Sequence, residues 1–304
     1  MKVPVLSFAI LLIAGPVVAV ADDLEDAFQS LKQAESKKDA AVVKKLAVQT
    51  CALARQVSSR PIPQSGEEKE AWTARIAYAR DIELYTEYAL YVSAVGGPAA
   101  TTVDLLSTLE QQNPKSKYLD EGYTYYFLAL SKTGAASKIP AIAEKAIAHF
   151  PENEDLLLVL ADRAMNRKDN EHALDYAERV LAVLSNHPKP DGMSAADWAR
   201  KRNTAMGRGH WIAGLMHHAK RDLFEADKDL RAALPLLKGN DALTASTFFY
   251  LGVVNYELGS AMRNRARIME AAGFSDQAAA IKGPLAQQAW RNAQVMRNEA
   301  LKMR

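Results

Sequence analysis

Cysteine is almost absent from the chain, and an excess of charge of either sign is lacking. The single cysteine, Cys51, lies inside the helical pattern KKLAVQTCALARQV, so it has no disulfide partner and no place as a lipid-attachment site. We expect it to pack in the interior. Lysine and arginine number 38 against 36 acidic residues, a formal net charge of +2, which gives no electrostatic preference for nucleic acid.

Long apolar runs are also lacking, apart from one at the N-terminus. There Lys2 precedes VPVLSFAILLIAG, Pro16 interrupts any helix, and Ala19-Val20-Ala21 forms a small-x-small site before Asp22. The pattern predicts a signal peptide over residues 1–21, cleaved after Ala21, and a periplasmic or secreted mature protein. An uncleaved anchor is the alternative, although the run is short for a membrane span. We expect no integral membrane segment after cleavage.

Motifs of catalysis are missing as well. The sequence has no HExxH, no GxxxxGK[ST] and no GxSxG, and its cysteine has no companion histidine. Its carboxylates belong to helix surfaces such as DNEHALDYAERV, where they form charge pairs four residues apart. We therefore predict no catalytic residue, no cofactor and no metal. The basic tract RNRAR (263–267) could touch an anionic surface, but in a secreted protein we expect no nucleic-acid partner.

Histidines are few, yet three of the six lie in RGHWIAGLMHHAK, residues 208–220. His210 and His217 are seven residues apart, about 10 Å along a helix axis. A metal ion on a helix needs ligands three or four residues apart, and only Asp222 beyond His218 offers such a pair. The spacing favours histidines packed like aromatic residues over a metal site.

What the sequence does contain is a repeat of 34 residues. Residues 120–153 and 154–187 are consecutive units, a third covers 207–240, and a fourth starts at about 245. Positions 4, 7, 8 and 11 of a unit share one face of its first helix, and small residues near positions 20 to 27 let the second helix approach closely. The pattern predicts an all-α protein built from antiparallel helix pairs.

This pattern resembles the tetratricopeptide repeat family, most clearly in YLGVVNYELG (250–259) and WIAGLMHHAKRDLFEADKDLRAAL (211–234). Ile139 and Ser185 depart from it, where the family has alanine at position 20 and proline at position 32. The resemblance implies one right-handed superhelical solenoid over residues 22–304. Weaker helix pairs would cover 24–58 and 66–114, and a capping helix would cover about 284–304.

A second duplication precedes two of the predicted first helices. PIPQSGEEKEAW (61–72) and PKPDGMSAADW (188–198) share Pro-x-Pro, a glycine and a tryptophan six residues after it. Ser194 and Asp197 resemble a capping box, which predicts a helix from there to Lys220. Gly207 and Gly209 could instead break that helix. We expect Trp72 and Trp198 to pack on one another or on the preceding loop.

Two classes of function remain open. One is a non-catalytic scaffold that binds a protein or peptide in the cell envelope through its concave face. The other is an enzyme, or the helical part of one, with catalytic groups dispersed over the repeats. In the tetratricopeptide family, ligand contacts come from the inner face of the first helices. Carried onto this chain, they are Tyr88, Tyr91, Tyr125, Leu158, Val159, Asp162, Trp211, Ile212, Leu215, His218, Phe249, Tyr250, Val253 and Tyr256.

That predicted surface is aromatic and aliphatic, and it lacks the lysine and asparagine set with which some relatives clamp a terminal carboxylate. We therefore predict an apolar extended or helical segment as the ligand, held mostly by burial of its side chains. The alternative is that these residues are covered by the C-terminal helix or pack between adjacent first helices, because large exposed apolar patches are rare on monomers.

Overall fold

The computed structural model describes residues 16–63, 66–186, 188–189 and 193–303. Within these ranges the protein consists of thirteen α-helices and contains no β-strand, which confirms the predicted all-α class. Most of the predicted signal peptide, residues 1–15, and most of PKPDG in the second duplicated motif lie outside the described residues. No helix in the described ranges is both long enough and apolar enough to cross a membrane.

The helices divide into two compact units, Met1–Gly134 and Ala135–Arg304. The first unit contains α1 (Pro16–Ser36), α2 (Ala40–Ser58), α3 (Glu67–Ala94), α4 (Ala99–Gln112) and α5 (Lys117–Lys132). The second contains α6 (Ile139–Ala146), α7 (Glu154–Asn166), α8 (Asn170–Asn186), α9 (Ala195–Ala219), α10 (Leu223–Ala233), α11 (Asp241–Ala261), α12 (Arg265–Ala280) and α13 (Ala286–Lys302). Short 3-10 turns precede α6 and follow α10, at Ala136–Lys138 and Leu234–Leu236.

Within each unit, consecutive helices pack against each other and the odd-numbered helices lie side by side. In the first unit α3 contacts both α1 and α5, and in the second α9 contacts α7 and α11, while α11 also contacts α13. The predicted unit 154–187 contains α7 and α8, whereas the predicted unit 207–240 contains α10 and only the second half of α9, which begins at Ala195. The predicted unit 120–153 contains most of α5 and all of α6, which belong to different compact units.

Helix α9 begins and ends where the sequence predicts. The hydroxyl of Ser194 accepts a hydrogen bond of 3.1 Å from the backbone N–H of Asp197, and the helix continues to Ala219 with Lys220 as its C-cap. Gly207 and Gly209 do not break it. A β-carbon at Gly207 would lie 2.9 Å from that of Leu236, and one at Gly209 would lie 3.1 Å from the side chain of Leu181. The two glycines therefore allow neighbouring segments to approach the helix.

The core repeats with the helix pairs, because small and large residues interlock between the two helices of a pair. Leu157, Leu160 and Ala161 of α7 are buried, as are Ala173 and Ala177 of α8. In the next pair, a β-carbon at Gly214 would lie 2.6 Å from Cγ of Leu230, so only glycine fits this crossing of α9 and α10. Cys51 is buried in α2, which confirms its predicted packing role.

The two tryptophans of the duplicated motif have different environments. Trp198 is buried with Leu157, Val180 and Leu184 of the preceding helix pair, and Met193 of the preceding loop packs on the same cluster. Trp72 is half-buried, and the guanidinium carbon of Arg75 lies 5.7 Å from the centre of its ring. The predicted contact with the preceding loop is thus present for Trp198, together with a larger contact to α7 and α8.

Candidate functional site

In the first unit, the predicted contact residues Tyr88 and Tyr91 belong to a longer row of aromatic rings. This tyrosine row comprises Phe28 on α1, Tyr78, Tyr85, Tyr88 and Tyr91 on α3, and Tyr118, which follows the first residue of α5. Each ring touches the next: centroid distances run from 5.1 Å between Phe28 and Tyr85 to 6.4 Å between Phe28 and Tyr78. Tyr118 is stacked on Tyr91 at 5.7 Å and lies 5.8 Å from Tyr88.

Carboxylates hold the edges of three of these rings. The Tyr78 hydroxyl donates to Glu25 at 2.7 Å and the Tyr91 hydroxyl donates to Glu121 at 3.1 Å. Tyr85 donates in the same way to Glu35. Because both ends of each bond lie on different helices, the bonds align α1 with α3 and α3 with α5. The rings are therefore preorganised, with little rotamer freedom left to lose when something binds to them.

Burial and the neighbouring carboxylates raise the pKa of three of these phenols, so they stay neutral well above ordinary pH. Desolvation raises the pKa of Tyr85 far above its usual range, and its hydrogen bond to Glu35 raises it further. The pKa of Tyr91 is raised strongly by desolvation and by the charge of Glu121. The pKa of Tyr78 is raised as well, mainly by its hydrogen bond to Glu25. The three hydroxyls thus remain donors, and all three donate within the protein.

Sequence inspection alone missed four members of the row: Phe28, Tyr78, Tyr85 and Tyr118. The spacing of Tyr78, Tyr85 and Tyr88, seven and then three residues, places them on one helix face and could have indicated the α3 part. The third predicted residue of this unit, Tyr125, is half-buried on α5, one to two turns beyond Tyr118.

In the second unit, the predicted residues divide into surface and core positions. Trp211, Leu215 and His218 are half-buried on α9. The indole N–H of Trp211 donates to the Ser246 hydroxyl at 3.1 Å, and the His218 ring meets that of Tyr250 edge-on at a centroid distance of 5.9 Å. These contacts bring α9 and α11 residues into one half-buried aromatic patch.

Ile212 and Phe249, by contrast, are buried in the core and offer no surface. Leu158 and Val159 are half-buried on α7, and Asp162 of the same helix pairs with Arg208 of α9. The predicted positions at the inner face of α7 and α9 thus include an ion pair in addition to the apolar side chains.

Helix α13 covers part of the predicted surface on α11. Val253 packs with Phe249 and Ala289 of α13, and Leu285 joins the same cluster. The Tyr256 hydroxyl donates to Glu299 of α13, and its ring packs near Met296. The alternative of coverage by the C-terminal helix is therefore correct for Val253 and Tyr256, whereas Trp211 and Leu215 belong to clusters that α13 does not enter.

Two of the three histidines of RGHWIAGLMHHAK share a partner that their spacing does not suggest. Asp229 of α10 lies between His210 and His217: its two oxygens are 2.8 Å from Nδ1 of His210 and 3.5 Å from Nε2 of His217. One carboxylate on the second helix of the pair thus contacts one ring nitrogen of each histidine. Among the described residues no group of three histidine, cysteine or carboxylate side chains is placed to hold a metal ion.

A shallow cleft of about 410 Å³ lies beside α6 and α7. Ile139, Pro140 and Val159 form its apolar part, and Asp162, Arg163, Asn166 and Arg167 form its polar part. Arg163 is paired with Glu144 at 2.9 Å and Asp162 with Arg208, so most of the charge in the cleft is neutralised internally.

The predicted basic tract 263–267 is partly used inside the fold. Arg267 donates to Asn255 at 3.0 Å and to Asp227 at 3.1 Å, and Asn255 is fully buried. This network joins α10, α11 and α12, so Arg267 contributes to packing of the helices.

No protein-family model matches the chain, and neither a curated protein nor a solved structure is significantly similar to it. Functional conclusions therefore depend on the side chains described above.

Proposed function

We propose that the protein is a non-catalytic helical-repeat scaffold that binds a protein or peptide segment through the surface of its odd-numbered helices. It would act in the cell envelope if the predicted cleavage after Ala21 takes place. The intact mass of the exported protein would check that cleavage.

The observation that carries this proposal is the set of large aromatic side chains on the odd-numbered helices of both units. Three of them are half-buried or exposed and yet have their polar atoms already bound: Tyr78 to Glu25, Tyr91 to Glu121 and Trp211 to Ser246. Rigid aromatic rings with an apolar face available are the side chains that contribute most to protein interfaces. Among the described residues no constellation of nucleophile, base and orienting group accompanies them.

The tetratricopeptide resemblance supports the same function. Gly214 and Gly252 occupy the same position of their repeats, and in each case a β-carbon would collide with the second helix of the pair, at Leu230 and at Ser275. We propose that the helix pairs are of this type and stack as a right-handed solenoid, an architecture that presents its first helices as an extended binding surface.

The decisive experiment is capture of a partner from envelope extract by the wild-type chain and by a Trp211→Ala, Tyr250→Ala double variant. We expect the double variant to lose at least about tenfold in affinity for the captured partner, since truncated aromatic anchors typically cost that much. The matched control is Trp290→Ala, because Trp290 is 56% exposed on α13 and is not one of the predicted contact residues.

Helical circular dichroism of all variants shows whether they remain folded. A folded double variant that captures the partner at wild-type affinity would contradict the role assigned to the α9–α11 patch. Turnover of a substrate from a hydrolase panel, abolished by one acidic or histidine substitution, would instead establish the enzyme alternative.

A further inference from the structure

The odd-numbered helices of the first unit are much more acidic than the rest of the chain. Helices α1, α3 and α5 together carry thirteen acidic and six basic residues. The even-numbered helices of this unit, α2 and α4, form the other layer and together carry two acidic and three basic residues. The whole chain is nearly balanced, with a formal net charge of +2. Acidic side chains are therefore concentrated on the layer that carries the tyrosine row.

Several of these carboxylates lie within the row itself. Glu25, Glu35 and Glu121 accept hydrogen bonds from its tyrosines. Asp81 is three residues after Tyr78 and four before Tyr85, so it shares their face of α3. It is exposed, and within the part of the chain that the structure describes it has neither a hydrogen-bond nor an ion-pair partner.

The ring faces already accommodate cations at two points of the row. The Lys32 ammonium lies 4.0 Å from the centre of the Phe28 ring, and the Lys117 ammonium lies 5.1 Å from the centre of the Tyr118 ring. Tyr78, at one end of the row, is 46% exposed, and Tyr88, between Tyr85 and Tyr118, is 36% exposed. These two rings and the Asp81 carboxylate are thus available to a ligand from outside.

The hydrogen-bonding capacity of the row determines which ligand fits. Its Tyr78, Tyr85 and Tyr91 hydroxyls donate to glutamates, so these donors are not available to a sugar hydroxyl or to an acidic side chain. Carboxylate oxygens, ring faces and the hydroxyls of Tyr88 and Tyr118 remain, and the first two attract positive charge. A neutral carbohydrate would stack on the same rings, but it would bring no positive charge to the acidic surface.

We infer that the tyrosine row of the first unit binds a lysine- or arginine-rich peptide segment. Ammonium or guanidinium groups would lie over Tyr78 and Tyr88 and beside Asp81, and the aliphatic stems of the same side chains would cover the apolar ring surface. This inference rests on the proposed peptide-binding function and adds the charge of the partner. It changes the expectation of a purely apolar ligand for this unit.

Fluorescence anisotropy tests the inference with the full chain and two labelled peptides of equal length, one alternating lysine with alanine and one alternating glutamate with alanine. We expect the lysine peptide to bind, the glutamate peptide not to bind, and the affinity to fall when salt is raised to about 0.5 M. Tyr88→Leu, which removes the ring and keeps an apolar side chain, should weaken binding about fivefold, whereas Tyr88→Phe should bind like wild type.

Charge is tested by Asp81→Asn, which should weaken binding of the lysine peptide about threefold at low salt. The matched control is Asp104→Asn, because Asp104 is an exposed carboxylate of the same unit on α4, in the other layer, where it pairs with Lys44 at 2.5 Å. It makes the same change of net charge, so it should leave binding within about a factor of 1.5 of wild type. Equal losses from both substitutions would show a nonspecific charge effect and overturn the inference.

Three further results would also overturn it: equal binding of the glutamate peptide, wild-type binding of the lysine peptide by a folded Tyr88→Leu variant, or binding of a neutral oligosaccharide to the row in place of the peptide. Should Tyr88→Leu lose helical content, the comparison of Asp81→Asn with Asp104→Asn decides. Suppose that partner capture depends on Trp211 and Tyr250, while the chain binds the lysine and glutamate peptides equally. That combination would reject the inference and leave the proposed function standing.

Discussion

At the scale of single residues, Gly214 sets the distance between α9 and α10. A β-carbon there would lie 2.6 Å from Cγ and 3.2 Å from the backbone nitrogen of Leu230, and Leu230 itself is fully buried. We expect Gly214→Ala to lower the free energy of unfolding by about 1–3 kcal/mol, because the two helices must move apart or Leu230 must leave its rotamer. Urea denaturation followed by circular dichroism measures the change.

Gly273 on α12 provides the matched control for that substitution. It is also inside a helix, but a β-carbon there would meet nothing within 4 Å. Gly273→Ala should therefore raise the free energy of unfolding by about 0.5–1 kcal/mol, since alanine loses less backbone entropy on folding into a helix. Equal effects of both substitutions would contradict the close crossing of α9 and α10.

At the scale of elements, α8 depends on its first turn and supports helices on both sides. It contacts α7 and α9, and the backbone N–H of Ala173 donates to Asp169 at 3.0 Å. Ala173→Pro removes that bond, and its ring clashes with the preceding turn, at a cost of about 3 kcal/mol or more. We expect a lower melting temperature and faster hydrogen exchange in α7 and α9 as well, because both lose a packed neighbour.

Asn170→Pro is the corresponding control, since Asn170 is the first residue of α8 and proline is well tolerated at that position. It should melt close to wild type. If Ala173→Pro affected exchange only within α8, the proposed coupling between neighbouring helix pairs would be wrong.

At the scale of the whole molecule, the 34-residue frame predicts which deletions are tolerated. Removing 154–187 takes out α7 and α8 together and keeps the alternation of first and second helices. We expect a shorter protein that remains helical and melts cooperatively, because each pair interacts mainly with its neighbours. Removing 154–169 instead deletes α7 alone and places α8 after α6, which reverses the alternation.

The 154–169 deletion should give a protein that either has much lower helical content or is insoluble. Circular dichroism and thermal melting of the two variants test the frame directly. A folded 154–169 deletion beside an unfolded 154–187 deletion would show that the 34-residue frame is wrong, even though the helices themselves are present.

The sequence by itself determined that the protein is all-α, that α9 begins after Ser194, and that Cys51 is buried. These features depend on local physics: apolar residues every three to four positions, a serine that caps a helix, and short loops between helices. For the same reason the predicted segments 66–114 and 284–304 contain α3–α4 and α13, and the predicted segment 24–58 contains α2 and the part of α1 after residue 23.

Only the tertiary structure decided which side chains meet across helices. Three contacts show this: His210 and His217 share Asp229, Tyr256 is bound by Glu299 of α13, and Phe28 touches Tyr85. The residues in these contacts are 12 to 57 positions apart in the sequence. Their distances of a few ångströms depend on how one helix pair stacks on the next. Sequence spacing encodes the face of a helix on which a residue lies, but not which residue of another helix lies opposite it.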